Sequence, residues 1–225
     1  MRFGVVRFPG SCDEVDALLA CRRFGDAELL WHAERDLKEV DAVVIPGGFS
    51  YGDYLRAGAI ARFSPVMDAV AEWARDGGPV LGICNGFQVL CEAGLLPGAL
   101  LVNEGLRFLC RQVDVEVVNA NTPFTSECRP GERLSVPVKH TTGRFYAPKA
   151  VLDELDELGQ VALRYAPGQN PNGSLRDIAG VANRAGNVLG LMPHPEHAVD
   201  PLTGSTDGGR LFASLAANAE PRVAA

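Results

Sequence analysis

The chain has 225 residues, of which 47% are hydrophobic and 22% charged, and its formal net charge is −7. Such a composition can fill a hydrophobic core and carries no signature of disorder. The acidic balance argues against binding to nucleic acid or to an anionic membrane, because both need basic patches. The first eight residues lack the apolar region of a signal peptide, and no run reaches the roughly 20 apolar residues of a membrane-spanning helix. The six cysteines include no C-x-x-C pair, so we predict a cytoplasmic protein with neither a metal site nor a disulfide framework.

Strands and helices alternate along the first hundred residues. Short apolar runs predict strands at residues 3–8, 27–31, 41–46 and 79–83. One predicted helix carries the apolar residues Val15, Leu18 and Leu19. Another is capped by Ser64, with Pro65 at its first position. Repeated βα units favour a parallel sheet with helices on both faces, in which ligands bind at the carboxyl ends of the strands.

The second half of the chain has antiparallel features. Residues 113–117 and 134–138 alternate between apolar and other residues, and Pro137 places the second of these strands at a sheet edge. Further elements are strands at 161–165, 178–182 and 188–192 and helices at 152–158 and 210–219.

We therefore predict an α/β chain that forms a single domain over residues 1–225. Its expected architecture is a flavodoxin-like mixed sheet with parallel core strands, helices on both faces and an antiparallel excursion. Residues 220–225 are expected to form a frayed tail.

A candidate nucleophile lies within residues 82–88, GICNGFQ. An apolar strand leads into Cys84 and helical spacing follows it, so a strand, a tight turn and a helix meet at this cysteine. Glycines on both sides let the chain bend sharply, as in a nucleophile elbow. The N-terminus of a helix favours negative charge, which would make the reactive thiolate accessible near neutral pH. The alternative is that Cys84 is a small buried hydrophobic residue, the usual role of a free cysteine.

Residues 193–196, PHPE, supply a candidate base. Because the two prolines fix φ, we expect an extended segment in which His194 and Glu196 face the same side. Glu196 would hydrogen-bond one imidazole nitrogen and leave the other for the thiol. Cys84, His194 and Glu196 would then serve as nucleophile, base and orienting group. A loop histidine beside an unrelated glutamate is the alternative.

Attack on a carbonyl also requires donors for the oxyanion that forms. Asn85, the residue after the candidate nucleophile, offers one backbone N–H group. Gly48, at the end of the neighbouring predicted strand, could offer the second because glycine tolerates unusual backbone angles. The alternative is that Gly47 and Gly48 form only a turn.

These motifs resemble the class I, triad-type glutamine amidotransferases. The resemblance to the class is carried by residues 82–88 and by the H-P-E of residues 194–196. Within the class, the chain resembles the glutaminase subunits of phosphoribosylformylglycinamidine synthases, through residues 46–56 (PGGFSYGDYLR), 170–174 (NPNGS) and 192–201 (MPHPEHAVDP). The resemblance covers nearly the whole chain.

The resemblance implies a reaction shared between two proteins. Cys84 would attack glutamine, His194 would protonate the departing ammonia, and the ammonia would pass to a large synthetase subunit of purine biosynthesis. That partner would hold ATP and Mg²⁺, because this chain has neither a Walker-type loop nor G-x-G-x-x-G, and we expect no cofactor in the chain itself. A small third subunit joins the two in some organisms. Gln88 is carried over as a glutamine contact, with a helix-surface amide as the alternative. We expect Arg56 and residues 49–54 to form the docking surface for the partner.

Two positions depart from the family pattern. The family usually has an acidic residue at Thr142 and often an arginine at His197, and we expect neither position to contact the triad. Two other functions remain open from the sequence: a stand-alone cysteine hydrolase with a similar elbow, and a noncatalytic flavodoxin-like binding module.

Overall fold

The structure is a computed structural model that describes residues 1–218. The frayed tail predicted at residues 220–225 lies outside the described residues. The strands are β1 (Arg2–Arg7), β2 (Asp26–Trp31), β3 (Ala42–Ile45), β4 (Val80–Ile83), β5 (Ala99–Val102), β6 (Leu109–Val117), β7 (Arg133–His140), β8 (Thr142–Tyr146), β9 (Val161–Tyr165), β10 (Ile178–Ala182) and β11 (Val188–Leu191). The α-helices are α1 (Glu14–Cys21), α2 (Pro65–Arg75), α3 (Asn85–Glu92), α4 (Lys149–Glu157) and α5 (Gly209–Ala217).

Nine strands form one mixed sheet in the order β2-β1-β3-β4-β11-β10-β9-β6-β7. The first five are parallel to their neighbours. From β11 onward each neighbouring pair is antiparallel. The order of the parallel half is the flavodoxin-like order 2-1-3-4-5, with β11 as its fifth strand. The predicted fold class, a flavodoxin-like mixed sheet with an antiparallel excursion, is confirmed.

The centre of the sheet is covered on both sides. Every residue of β3, β4 and β11 is buried, which explains why these strands are apolar without alternation. One hydrophobic cluster extends from Phe3 in β1 to Leu215 in α5. This continuity supports a single domain, which stays a prediction for the whole chain.

The edge strand is where Pro137 predicts it. β7 ends the sheet, and Pro137 stands opposite Gln112 of β6. A proline is tolerated there because an edge strand needs only one row of ladder hydrogen bonds. Its carbonyl oxygen accepts the backbone N–H of His194 at 2.8 Å, so the sheet edge also holds the segment that carries the candidate base.

The predicted helix with Val15, Leu18 and Leu19 is present as α1. Its buried residues include Ala17, Leu18 and Cys21, whereas Val15 and Leu19 are 50% and 54% exposed. One local prediction was wrong in detail. Ser64 does occupy the position before α2, but its hydroxyl makes no capping bond and instead lies 2.9 Å from the Tyr51 hydroxyl.

A second, two-stranded sheet was not predicted. It pairs β5 with β8 in antiparallel fashion. Thr142, the first residue of β8, stands two residues after the end of β7 and lines the same cleft as Gly48 and Cys84. Within residues 1–218, no helix has the length and apolar character needed to cross a bilayer.

Candidate active site

Cys84 stands between β4 and α3 in a strained backbone conformation. Its φ of 49° and ψ of −102° lie outside the regions that non-glycine residues ordinarily adopt. The flanking glycines are required by close packing, since a side chain on Gly86 would collide with the carbonyl oxygen of Ile45 and one on Gly82 would collide with Leu90. The predicted elbow is therefore present, and it presents the cysteine at the N-terminus of α3.

The candidate base follows the strand next to β4. β11 pairs with β4 in parallel, and His194 lies three residues beyond the end of β11. Its Nδ1 is 2.6 Å from Oε1 of Glu196, and both side chains are buried. The predicted extended segment was wrong, because Pro195–His197 form a 3-10 turn. That turn brings Glu196 back onto the imidazole of His194.

The charges around His194 favour the protonated form of its imidazole. Burial lowers the pKa of His194, but the negative charges of Glu196 and Cys84 outweigh it and raise the pKa to about 10. Nε2 of His194 is buried and has no hydrogen-bond partner within residues 1–218. Since Nδ1 is held by the carboxylate, Nε2 is the nitrogen left for proton exchange at the thiol.

The two predicted oxyanion donors are free to act. Gly48 lies in the loop that leaves β3, and its φ of 138° belongs to a conformation that favours glycine. Gly48 and Cys84 line the same cleft. Among the described residues, neither the backbone N–H of Gly48 nor that of Asn85 is bound to a protein acceptor. Both can therefore donate to an oxyanion formed at a carbon bonded to Cys84.

The side chain of Asn85 fixes these donors relative to each other. Its Oδ1 accepts the backbone N–H of Ser50 at 3.0 Å, and its Nδ2 donates to Asp53 at 3.2 Å. The loop after β3 is thereby tied to the first turn of α3. The structure thus explains a role for Asn85 beyond its backbone N–H.

Gln88 lines the cleft but has few free hydrogen-bonding positions. Its Oε1 accepts from Asn85 Nδ2 at 2.8 Å, and its Nε2 donates to the backbone carbonyl of Thr142. Because the Thr142 contact is made by the backbone, the unusual side chain at this position does not affect it. A direct contact between Gln88 and glutamine stays a prediction, and the hydrogen bonds give Gln88 a positioning role.

Asp13 and Lys139 are parts of the site that sequence reasoning missed. Asp13 is 3% exposed, pairs with Lys139 Nζ, and has Oδ2 3.7 Å from Nδ1 of His194. Burial would raise the pKa of Asp13, but hydrogen bonds with His197 and Lys139 hold it well below its usual range. A Cβ at Gly47 would lie 2.7 Å from Cε1 of His194, so Gly47 is needed for this close packing.

His197 also contacts this group, contrary to expectation. Its Nε2 lies 3.4 Å from Asp13 Oδ1 and 3.6 Å from Glu196 Oε1. Asp13, His194, Glu196 and His197 each place one potential metal-ligating atom within 4.8 Å of the others. These side chains are already joined to one another by hydrogen bonds and ion pairs. Those bonds are enough to explain why the four side chains lie so close together. The predicted lack of a metal site stays a prediction.

The arrangement can perform covalent acyl transfer. A thiol at a strained elbow, an imidazole oriented by a carboxylate and two backbone donors converge at the ends of adjacent strands. The fold and this constellation together define the class of triad-type cysteine enzymes with an α/β sheet.

Comparison with known sequences gives the family. A sequence profile described as CobB/CobQ-like glutamine amidotransferase domain matches residues 1–211. The chain belongs to this family of glutamine amidotransferases.

Individual relatives are similar over at least 92% of their length. The chain is 59% identical over 221 residues to phosphoribosylformylglycinamidine synthase subunit PurQ of Rubrobacter xylanophilus, covering 98% of this chain and 100% of the relative. It is 61% identical over 209 residues to the protein of the same name from Mycobacterium tuberculosis strain H37Rv, covering 92% of both. Among solved structures it resembles PurLQS from Thermotoga maritima, with a TM-score of 0.88, 42% identity and coverage of 95% of this chain and 96% of that one.

Proposed function

We propose that this chain is the glutaminase subunit of a phosphoribosylformylglycinamidine synthase, acting in purine biosynthesis. The observation that carries the proposal is the buried His194–Glu196 pair at the end of the strand beside Cys84, which stands at a strained elbow. It occurs in a chain of which 98% aligns with a PurQ protein at 59% identity. The catalytic residues we assign are Cys84, His194 and Glu196.

The geometry supports a defined sequence of steps. The Cys84 thiolate attacks the side-chain amide carbon of glutamine, and the N–H groups of Gly48 and Asn85 stabilise the oxyanion. The carbon–nitrogen bond then breaks while His194 delivers a proton to the nitrogen, which leaves as ammonia. Water attacks the resulting thioester, with His194 now accepting a proton, and glutamate and the free thiol are formed.

Ammonia release is useful only with a partner that consumes it. The similarity to PurLQS and to PurQ proteins supports a complex with a large synthetase subunit, and with a small third subunit in some organisms. That synthetase uses ATP to convert formylglycinamide ribonucleotide into the amidine. The phosphate-binding machinery and Mg²⁺ belong to it, because the sequence of this chain has no phosphate-binding loop. We place the complex in the cytoplasm.

Reconstitution tests the proposal. The purified chain is mixed with its synthetase, and glutamate and amidine are measured with and without ATP and formylglycinamide ribonucleotide. Wild type should release glutamate weakly alone and faster in the complex. Cys84→Ser should lose glutamine-dependent synthesis but retain synthesis from added ammonium, which bypasses the thiol.

Each other outcome assigns a different function. Rapid hydrolysis of peptides or esters with indifference to glutamine would identify a stand-alone cysteine hydrolase. Full purine complementation by Cys84→Ala would identify a noncatalytic binding module. Either result would overturn the proposal.

A further inference from the structure

A second buried histidine lines the cleft beside Cys84. His140 is the last residue of β7, is 3% exposed, and lines the same cleft as Gly48 and Cys84. The peptide that joins it to Lys139 is next to the candidate nucleophile, because the Lys139 carbonyl oxygen is 3.8 Å from Sγ of Cys84. The steps proposed above assign no role to this imidazole.

The protonation pattern of His140 is fixed by Asn103. Nδ2 of Asn103 donates to the backbone carbonyls of Arg107 and His140, at 3.0 and 2.9 Å. Its Oδ1 is therefore the amide oxygen, and it accepts the backbone N–H of Gly143 at 3.0 Å. The same oxygen lies 3.0 Å from Nδ1 of His140, so Nδ1 must carry a hydrogen and donate it.

The other nitrogen of this ring is an unused acceptor. With the hydrogen on Nδ1, neutral His140 has a lone pair on Nε2. Nε2 is buried and has no hydrogen-bond partner in the part of the chain that the structure describes. Buried polar atoms of native proteins are almost always paired. An N–H or O–H group in the cleft that reaches Nε2 would complete its hydrogen bonding.

His140 is suited to accept a hydrogen bond without giving up a proton. Burial, together with the charge of His194, lowers its pKa to about 4. The imidazole is consequently neutral at physiological pH.

We propose that Nε2 of His140 accepts a hydrogen bond from the nitrogen that glutamine loses, first as the carboxamide and then as ammonia. This inference rests on the proposed glutaminase function. When the carbon–nitrogen bond breaks, His194 donates the proton that completes ammonia. His140 binds one N–H of the product and leaves its nitrogen lone pair free. A neutral acceptor holds ammonia without converting it to ammonium, which could not attack the partner's substrate.

The test compares glutamate and amidine formation in the reconstituted complex. His140→Phe keeps a ring of similar shape but removes the acceptor, whereas His140→Gln keeps an acceptor oxygen at about the same reach. We expect His140→Phe to lower glutamine turnover at least tenfold and to release several glutamates for each amidine. His140→Gln should retain much of the wild-type turnover and much of the wild-type coupling between glutamate and amidine formation. Synthesis from added ammonium should be unchanged in both variants.

Controls separate this role from a structural one. Gln160→Leu is a matched loss of a buried polar group, because Gln160 is buried, donates Nε2 to the carbonyl oxygen of Ala182 at 2.9 Å, and is outside the set of described residues that line the cleft. It should leave the ratio of glutamate to amidine at one. Alkylation of Cys84 by iodoacetamide should proceed at the wild-type rate in His140→Phe if the elbow is intact. Wild-type coupling combined with turnover within twofold in His140→Phe would overturn the proposal.

A measurement on the unmodified chain covers the case in which His140→Phe does not fold. ¹⁵N spectra of the histidine-labelled protein at pH 7 should show His140 neutral, with hydrogen on Nδ1 and none on Nε2. Adding ammonia at pH 9, where much of it is uncharged, should shift the Nε2 resonance. The opposite tautomer, a charged ring or an unmoved Nε2 signal would refute the inference. Failure of wild type to make amidine from glutamine would instead refute the proposed function.

Discussion

Replacing Glu196 by glutamine tests whether the charge of Glu196 sets the protonation and tautomer of His194. The substitution keeps the size of the side chain but removes the charge that lies 2.6 Å from His194 Nδ1. A glutamine amide can also present a donor to Nδ1, which would favour the tautomer with hydrogen on Nε2. In that tautomer, Nε2 of His194 presents a proton to the thiol and cannot accept one.

The expected loss is large. The pKa of His194 is raised to about 10, and Glu196 is the larger of the two charges that raise it. A close opposite charge typically shifts a pKa by about 1–3, so removing it should lower the pKa of His194 and weaken the stabilisation of the imidazolium by about 1.4–4 kcal/mol. The unfavourable tautomer adds to this loss. We therefore expect Glu196→Gln to lower kcat for glutamine by roughly 10²- to 10⁴-fold. KM should change much less, because Glu196 does not touch the substrate.

The assay is glutamate release by the complex, with the rate of Cys84 alkylation at pH 7 as a second readout. Alkylation should slow at least tenfold, because an imidazole without the Glu196 charge is a weaker base for the thiol proton. Glu154→Gln is the matched control, because Glu154 is exposed on α4. Turnover and alkylation within threefold of wild type in Glu196→Gln would refute the assignment of Glu196 as the orienting group.

Three further predictions concern stability. Gly86→Ala should lower the free energy of unfolding by about 1–3 kcal/mol and abolish activity, because its methyl group would collide with the Ile45 carbonyl oxygen. Asp13→Asn should cost about 1–3 kcal/mol by urea unfolding, because it leaves the partly exposed Lys139 without its buried partner. The pKa of His194 is raised on folding, so its contribution is complete below about pH 6.5 and is lost as the pH rises through about 10. The urea concentration at the unfolding midpoint of wild type should therefore decrease as the pH rises from 7 to 10, and that of Glu196→Gln should decrease less.

The two substitutions have matched controls. Gly105→Ala places a methyl group where no atom lies within 4 Å, so it should leave stability nearly unchanged. Asp16→Asn changes an exposed carboxylate on α1 and should cost less than 0.5 kcal/mol. An unfolding free energy in Gly86→Ala equal to that of Gly105→Ala would contradict the packing argument. Urea midpoints that are constant from pH 7 to 10 would show that the His194 charge is not coupled to folding.

Hydrophobic periodicity was enough to predict the main sheet but not the small one. The strands of the parallel half are continuous apolar runs because both of their faces are buried, and such runs are visible in the sequence. β5 is partly or fully exposed along its length and pairs with β8, some forty residues later. A short exposed strand has no strong pattern of its own, and only its distant partner makes it a strand.

The same distinction applies to the site. Cys84, His194 and Glu196 could be predicted because each lies in a short motif whose glycines or prolines constrain the local backbone. Asp13 and His140 could not, because neither stands in such a motif. Asp13 lies in the loop after β1, where its backbone N–H donates to the carbonyl oxygen of Gly47 at 3.3 Å. His140 reaches the cleft at the end of β7, which also brings Lys139 to Asp13, a contact between residues more than a hundred positions apart.

The register of the sheet explains why so few residues outside the strands are needed to build the site. β3, β4 and β11 are successive parallel neighbours, and neighbouring strands lie about 4.8 Å apart. Their carboxyl ends deliver Gly48, Cys84 and His194 within three residues of leaving each strand. Short connections have little conformational freedom, so the buried sheet, rather than a long loop, sets the distances among donor, nucleophile and base. The antiparallel strand β7 then closes the remaining side with Lys139 and His140, which is the part of the site with the least local sequence signal.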